Sequence, residues 1–237
     1  MHNVGDQALL VEFENEISME VNRKVMALKR ALEEQKLPGT GELIPTYRSL
    51  VIHYDPLTAD LEQLKEAIDQ SAGHLDLAAL PRAIVTEIPV LYEGEYALDL
   101  EEIARIEGKT VEEIIRIHSQ SDYYVYMLGF APGHPYTARF ENPFSFKRRE
   151  TPRVRIPGGS IVVQLGLSDI IPFDQPCGWN IIGSTPLLAC DYRKKNPFLL
   201  KAGQWIRHVP VDRVEFIDIK RQVELGCYQP RTYEKEG

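Results

Sequence analysis

The sequence predicts an α+β protein in two parts: a small α/β domain over residues 1–80 and an antiparallel β-barrel or sandwich over residues 81–237. Three observations carry this reading. Strand-like and helix-periodic segments alternate up to about Ala72. The texture then changes across Gly73 to Pro81, a candidate linker. After Tyr123 short apolar runs follow one another, cut by Gly and Pro at close intervals, as in an antiparallel barrel or sandwich. A chain of 237 residues buries roughly 70–75% of its unfolded surface and needs no metal or disulfide to hold its core.

Taken in order, ALLVEF (8–13) reads as the first strand. Ser18 can cap a helix whose apolar face is Val21, Val25, Leu28 and Leu32, and Leu37-Pro38-Gly39 should end it. Ser49 to Tyr54 is strand-like and is stopped by Asp55-Pro56. A second helix runs from about Asp60 to Ser71, with Leu61, Leu64 and Ile68 on one face. Together these form strands covered on one side by two helices. From Ile84 strands dominate, interrupted by two short helices. Asp99 with Glu102, and Thr110 with Glu113, have the three-residue separation of a capping box. From about Gln229 the chain is charged and lacks apolar periodicity, which predicts a frayed tail.

Composition excludes several classes. Hydrophobic residues make up 43% and charged residues 26%, and the net charge is −8, which argues against nucleic acid or an anionic membrane as the main partner. Cys177, Cys190 and Cys227 show no C-x-x-C spacing and no histidine cluster, so neither a disulfide framework nor a zinc site is expected, and no metal is predicted. Met1 leads into polar residues and no apolar run approaches the ~20 residues of a membrane span. The expectation is a soluble, reduced, cytoplasmic protein.

The chemistry-bearing residues are fewer. Gly108-Lys109-Thr110 resembles the end of a phosphate loop, but position 103 is Ile103 where that loop needs glycine, so a turn with Thr110 as a helix cap is the better reading. Lys147, Arg148, Arg149, Arg153 and Arg155 place five cations in nine residues. The first three read as a solvated run. Arg153 and Arg155 share a strand face and either meet anionic partners or face solvent. His134 sits between Gly133 and Pro135 with no acid at a companion spacing, so a space-filling loop histidine competes with a catalytic one. Cys177 reads as a small buried hydrophobe, and Trp179 and Trp205 as core or pocket-wall residues. The residues alone support an anion-tolerant pocket among Gly/Pro loops, without a complete catalytic constellation.

Three motifs occur in order: GFAPGHPY (129–136), TPRVRIPGGS (151–160) and QPCGWNIIGSTP (175–186). With VGDQALLVEFENEIS and SLVIHYDP nearer the start, they resemble the B subunit family of bacterial ATP-dependent 5-oxoprolinase. That family is also called allophanate hydrolase subunit 1 and includes an inhibitor of a sporulation histidine kinase. The resemblance implies a small α/β N-terminal domain followed by a cyclophilin-like antiparallel β-barrel. It implies a heteromeric complex with homologues of the C and A subunits, which opens 5-oxoproline to glutamate with ATP used by the complex. The alternatives it carries are inhibition of a sensor histidine kinase, or the carboxyltransferase-type half of a biotin-dependent urea carboxylase or allophanate hydrolase system. Prolyl isomerase activity would rest on fold analogy alone. The pocket expected from the residues comprises Gly129, Phe130, Pro132, Gly133, Arg153, Arg155, Pro157, Gly159, Gly178 and Trp179, with His134 as the catalytic candidate; its use in holding an anionic intermediate is what the resemblance implies. The chain departs from the family pattern at His134, at residues 164–169, at Cys177 and at Ser184.

Overall fold

The computed structural model describes residues 1–137 and 144–235. The chain separates into two compact units, Met1–Arg82 and Ala83–Gly237. The first contains β1 (His2–Asn3), β2 (Ala8–Glu12), α1 (Met19–Gln35), β3 (Thr40–Pro45), β4 (Ser49–Tyr54) and α2 (Leu61–Gly73). Its sheet has the order β1-β2-β4-β3, with every pairing antiparallel.

Side-chain alternation sends Leu9 and Val11 of β2, and Leu50 and Ile52 of β4, into one core with Val25, Leu28 and Leu32 of α1 and Leu64 and Ile68 of α2. Each such side chain contributes about 1.5–3 kcal/mol on burial. Both helix starts are as expected. The Ser18 hydroxyl accepts from the Val21 N–H at 3.2 Å, and Asp60 accepts from the N–H groups of Glu62 and Gln63, each at 3.1 Å. Helix α1 ends at Lys36 in a left-handed conformation, just before Pro38.

The second unit contains β5 (Ile84–Val90), α3 (Leu100–Glu107), α4 (Val111–Gln120), β6 (Asp122–Leu128), β7 (Pro135–Thr137), β8 (Arg153–Ile156), β9 (Ser160–Gln164), β10 (Leu167–Ile170), β11 (Gln175–Cys177), β12 (Asn180–Ser184), β13 (Trp205–Pro210), α5 (Arg213–Glu224) and β14 (Thr232–Glu234). Three sheets result: β14-β5-β13-β6-β7, β10-β9-β12 and the pair β11-β8. A single bridge between Leu91 and Ser184 joins the five-stranded sheet to β12. One core of Ile88, Val90, Tyr123, Val125, Ile161, Val163, Ile182 and Ile206 lies among the sheets, closed by Leu100 and Ile103 of α3 and Ile114 of α4.

The mixed α/β class agrees with the sequence, but the antiparallel barrel needs correction. The described strands form separate sheets rather than one closed sheet, and β13 runs parallel to β5 over six residue pairs. The parallel pair is possible because residues 91–204 intervene, far more than the dozen residues such a crossover requires. The expected frayed tail is also corrected. Thr232–Glu234 pairs antiparallel with β5, and Lys235 ion-pairs with Asp122 while its Nζ lies 4.5 Å from the Trp205 ring centroid. These tail residues find fixed partners although Thr232 and Glu234 stay exposed. Among the described residues, no helix is long and apolar enough to cross a membrane.

Candidate functional site: a cleft walled by the glycine-rich turns

The turn between β8 and β9, the segment after β10 and the end of β12 bound a cleft of about 870 Å3. Pro157, Gly158 and Ser160 form one wall, and Pro172, Phe173 and Asp174 form the next. Ile181, Ser184, Thr185, Leu187 and Leu188 follow, with Glu95, Tyr96, Leu98, Phe216 and Lys220 opposite. The turn geometry depends on Gly159. Its φ is +84°, and a Cβ there would lie 2.4 Å from the Thr185 carbonyl oxygen. Freed of that clash, Gly159 donates to the Ile171 carbonyl at 2.7 Å and accepts from the Thr185 N–H at 2.8 Å. Three strand ends are thereby tied at one point.

The hydroxyls and Asp174 of this cleft are already engaged. The Ser160 hydroxyl donates to the Pro157 carbonyl at 2.8 Å and the Ser184 hydroxyl to the Gly159 carbonyl at 3.2 Å. Thr185 Oγ1 accepts from the Leu187 N–H at 3.3 Å. Asp174 accepts from the Gly158 N–H at 3.0 Å and from Arg155 Nε at 2.9 Å. The Gly158 N–H, and then the Arg155 guanidinium, hold its carboxyl below the usual carboxylate range. The arrangement is a walled, largely apolar binding volume.

Arg153 and Arg155 do not converge on a shared guest. Arg155 is exposed and goes to Asp174, whereas Arg153 turns to the buried carboxylate of Asp99 with bonds of 2.7 and 2.8 Å. The hydrogen bond to Asp99 is the largest of the effects that raise the Arg153 pKa. Asp99 also accepts from Arg149 Nη1 at 2.9 Å and from the Ile181 N–H at 2.7 Å. Two expectations are corrected here. Asp99 occupies the cap position of α3 without capping it, and Arg149 is not part of a solvated run. The reason is shared: a carboxylate 2% exposed requires charged partners more than a helix end requires a cap. By contrast, Thr110 and Glu113 form the expected capping box, and Gly108 ends α3 at φ +62°, so the Gly108-Lys109-Thr110 segment is spent on helix ends. It offers no phosphate cradle.

Gly129, Phe130, Pro132, Gly133 and His134 lie on the loop between β6 and β7, away from the cleft lining. The loop is tightly held: Gly129 donates to the His134 carbonyl at 3.1 Å, and His134 to the Ala131 carbonyl at 3.0 Å. Phe130 takes a left-handed φ of +64° and is 79% exposed, an unusual combination for an aromatic residue. His134 is buried, and the fold gives it the companion its spacing concealed: Nε2 lies 3.7 Å from Asp169 Oδ2. Burial pushes Asp169 up to about 8 and His134 down to about 4, so it disfavours the charged form of each. Trp179 and Cys177 pack against Ile156, Val162, Ile171 and Ile181, and burial raises the Cys177 thiol pKa. Gly178 lies beneath the Arg148 guanidinium, which a Cβ would approach to 2.4 Å.

The family model for the carboxyltransferase domain, subdomain C and D, matches residues 1–200. The chain belongs to this family. Within it, the 5-oxoprolinase B subunit of Bacillus subtilis (strain 168) is 33% identical over 232 residues, covering 94% of this chain and 97% of that protein. Among solved structures, TTHA0988 superposes with a TM-score of 0.76 at 32% identity, over 87% of this chain. The match spans only 40% of the TTHA0988 chain. The K. lactis urea amidolyase shares the fold over 98% of this chain with a TM-score of 0.76, at 17% identity and over 16% of its own length. The naming of the curated relative as one subunit implies that several chains assemble.

Proposed function

We propose that the chain is the B subunit of an ATP-dependent 5-oxoprolinase complex, acting with homologues of the C and A subunits to convert 5-oxoproline to glutamate. The observation that carries this reading is where the family's motifs meet. Residues from the TPRVRIPGGS and QPCGWNIIGSTP segments, distant in sequence, wall the same cleft through Pro157, Gly158, Ser160, Ser184 and Thr185. The names of the relatives, such as that of the B. subtilis protein, point in the same direction. In this reading the cleft receives the lactam or its activated, anionic form. Its apolar walls exclude water, and the groups that react are completed by the partner chains, because the hydroxyls and Asp174 within it are committed to internal bonds. In this reading ATP is used by the complex, and the Gly108–Lys109–Thr110 turn of this chain serves helix ends.

The test reconstitutes the complex from purified subunits and follows 5-oxoproline-dependent ADP release with and without this chain. Release that depends on this chain is expected. Replacing Leu188, a half-exposed residue of the cleft lining, by Arg should lower turnover at least tenfold while the subunits still co-purify. Release unchanged by omitting this chain would refute the proposal.

A further inference from the structure

Among the described residues, the two-stranded sheet β11-β8 leaves one side of β8 open. Outside its pairing with β11, no backbone group of Val154 or Arg155 makes a hydrogen bond among the described residues. Val154 at the centre of the strand is 87% exposed. An unpaired strand edge carrying an exposed β-branched residue is a template for another extended chain.

The charge around this edge selects what may pair with it. Lys147, Arg148, Arg149, Arg153 and Arg155 are accompanied in residues 147–155 by a single acid, Glu150. Asp99 answers Arg149 and Arg153, and Asp174 answers Arg155. Lys147 and Arg148 have no ion pair among the described residues. The stretch that carries β8 is therefore locally cationic within a chain of net charge −8. A second copy of this chain would set the same cations against one another, and like charges placed opposite across a strand pair are destabilising. The geometry and charge together disfavour self-pairing and favour an acidic strand.

We propose that β8 is a docking edge at which an extended acidic segment of a partner polypeptide adds as a neighbouring strand. This deepens the reading as one member of a multi-chain complex by naming a surface on this chain and the chemistry of what meets it. Backbone hydrogen bonds to β8 would supply the pairing, and the surplus positive charge of residues 147–155 would supply the selectivity.

The test is independent of enzymatic turnover, so its failure is distinct from failure of the functional proposal. A fluorescein-labelled decapeptide of alternating Glu and Val is titrated with the full chain and polarisation is read. Two control peptides are used: one with Lys in place of Glu, and one with N-methylated Val, which keeps the charge but loses alternate N–H donors. The Glu-Val peptide should bind, and both controls should bind at least roughly tenfold more weakly. The doubly reversed variant K147E/R148E should also lose roughly tenfold in affinity for the Glu-Val peptide. Equal binding of the N-methylated peptide would reduce the contact to unspecific charge attraction and overturn strand addition. Absence of binding by the Glu-Val peptide, or equal binding of the Lys peptide, would overturn the proposal outright, leaving the cations only the task of keeping the edge unpaired.

Discussion

Replacing His208 by Phe should change how the protein's stability depends on pH. His208 lies on β13, is 1% exposed, and has no hydrogen-bond partner on either ring nitrogen among the described residues. Its ring centroid is 4.3 Å from that of His118 and 4.9 Å from that of Tyr123. His118 is itself occupied, bonded through Nδ1 to the Tyr92 hydroxyl at 2.6 Å and through Nε2 to the Ser168 hydroxyl at 2.8 Å. Burial drives the His208 pKa down to about 3, whereas the unfolded chain takes up the proton near 6.5. A depressed pKa on a basic group means that the unfolded state binds more protons below 6.5. Stability is therefore complete above that pH and is lost as pH falls toward 3. At pH 5 the loss from this residue alone is about 2 kcal/mol, one and a half units at ~1.4 kcal/mol each. Phe keeps a ring against His118 and Tyr123 and cannot titrate.

Urea denaturation of both proteins at pH 8 and pH 5 gives a double difference in which constant packing costs cancel. The variant should gain about 2 kcal/mol on the wild type between the two pH values. Comparison with the variant matters because Asp169, with its pKa raised to about 8, acts in the opposite sense: its contribution is present at low pH and is lost as pH rises toward 8. A double difference indistinguishable from zero would refute the claim that His208 stays neutral in the folded state.

Two further substitutions probe the second unit. Asp99→Ala removes the carboxylate on which Arg149, Arg153 and the Ile181 N–H converge and should cost about 3 kcal/mol, read as a lowered midpoint in thermal or urea unfolding. A loss below 1 kcal/mol would show that the two partly exposed guanidiniums are satisfied by water. Phe130→Gly relieves the left-handed backbone at φ +64°, worth ~1–2 kcal/mol, against a comparable chain-entropy cost of glycine. Calorimetry should therefore place the variant within about 1 kcal/mol of wild type. A much larger loss would mean that the ring's contact with His134, at 5.7 Å between centroids, anchors the loop.

What can be read from the sequence is local. Ser18, Asp60 and the Thr110/Glu113 pair mark helix starts because a cap depends on residues two or three positions apart. β4 is legible because its alternation is complete within six residues. The cleft is legible in part, since Pro157 and Gly159 stand out as turn residues before any strand is placed. What stays hidden depends on pairings across long stretches of chain. Asp99 reads as a cap because the arginines it binds come 50 and 54 residues later. His134 reads as unaccompanied because Asp169 arrives on β10, and the tail reads as frayed because its partner strand begins at Ile84. Spacing reports periodicity and caps, whereas charge burial and strand pairing are properties of the assembled fold.

The state of the polar groups also bears on why this chain would need partners. A cleft that performs acyl or phosphoryl chemistry by itself presents a nucleophile and a base within reach of each other. Here no histidine or cysteine is among the described lining residues, and the hydroxyls of Ser160 and Ser184 donate to carbonyls of the very turn that shapes the wall. Freeing either hydroxyl for chemistry would loosen the β8–β9 turn, whose Gly159 already ties β10 and the end of β12 together. Rigidity of the wall and reactivity of its hydroxyls therefore exclude each other. His134 and Asp169, the one acid–imidazole approach among the described residues of this region, are buried elsewhere, where burial disfavours the charge of each. On the proposed function, such a cleft would contribute a shaped surface and the partner chains would supply the reacting groups.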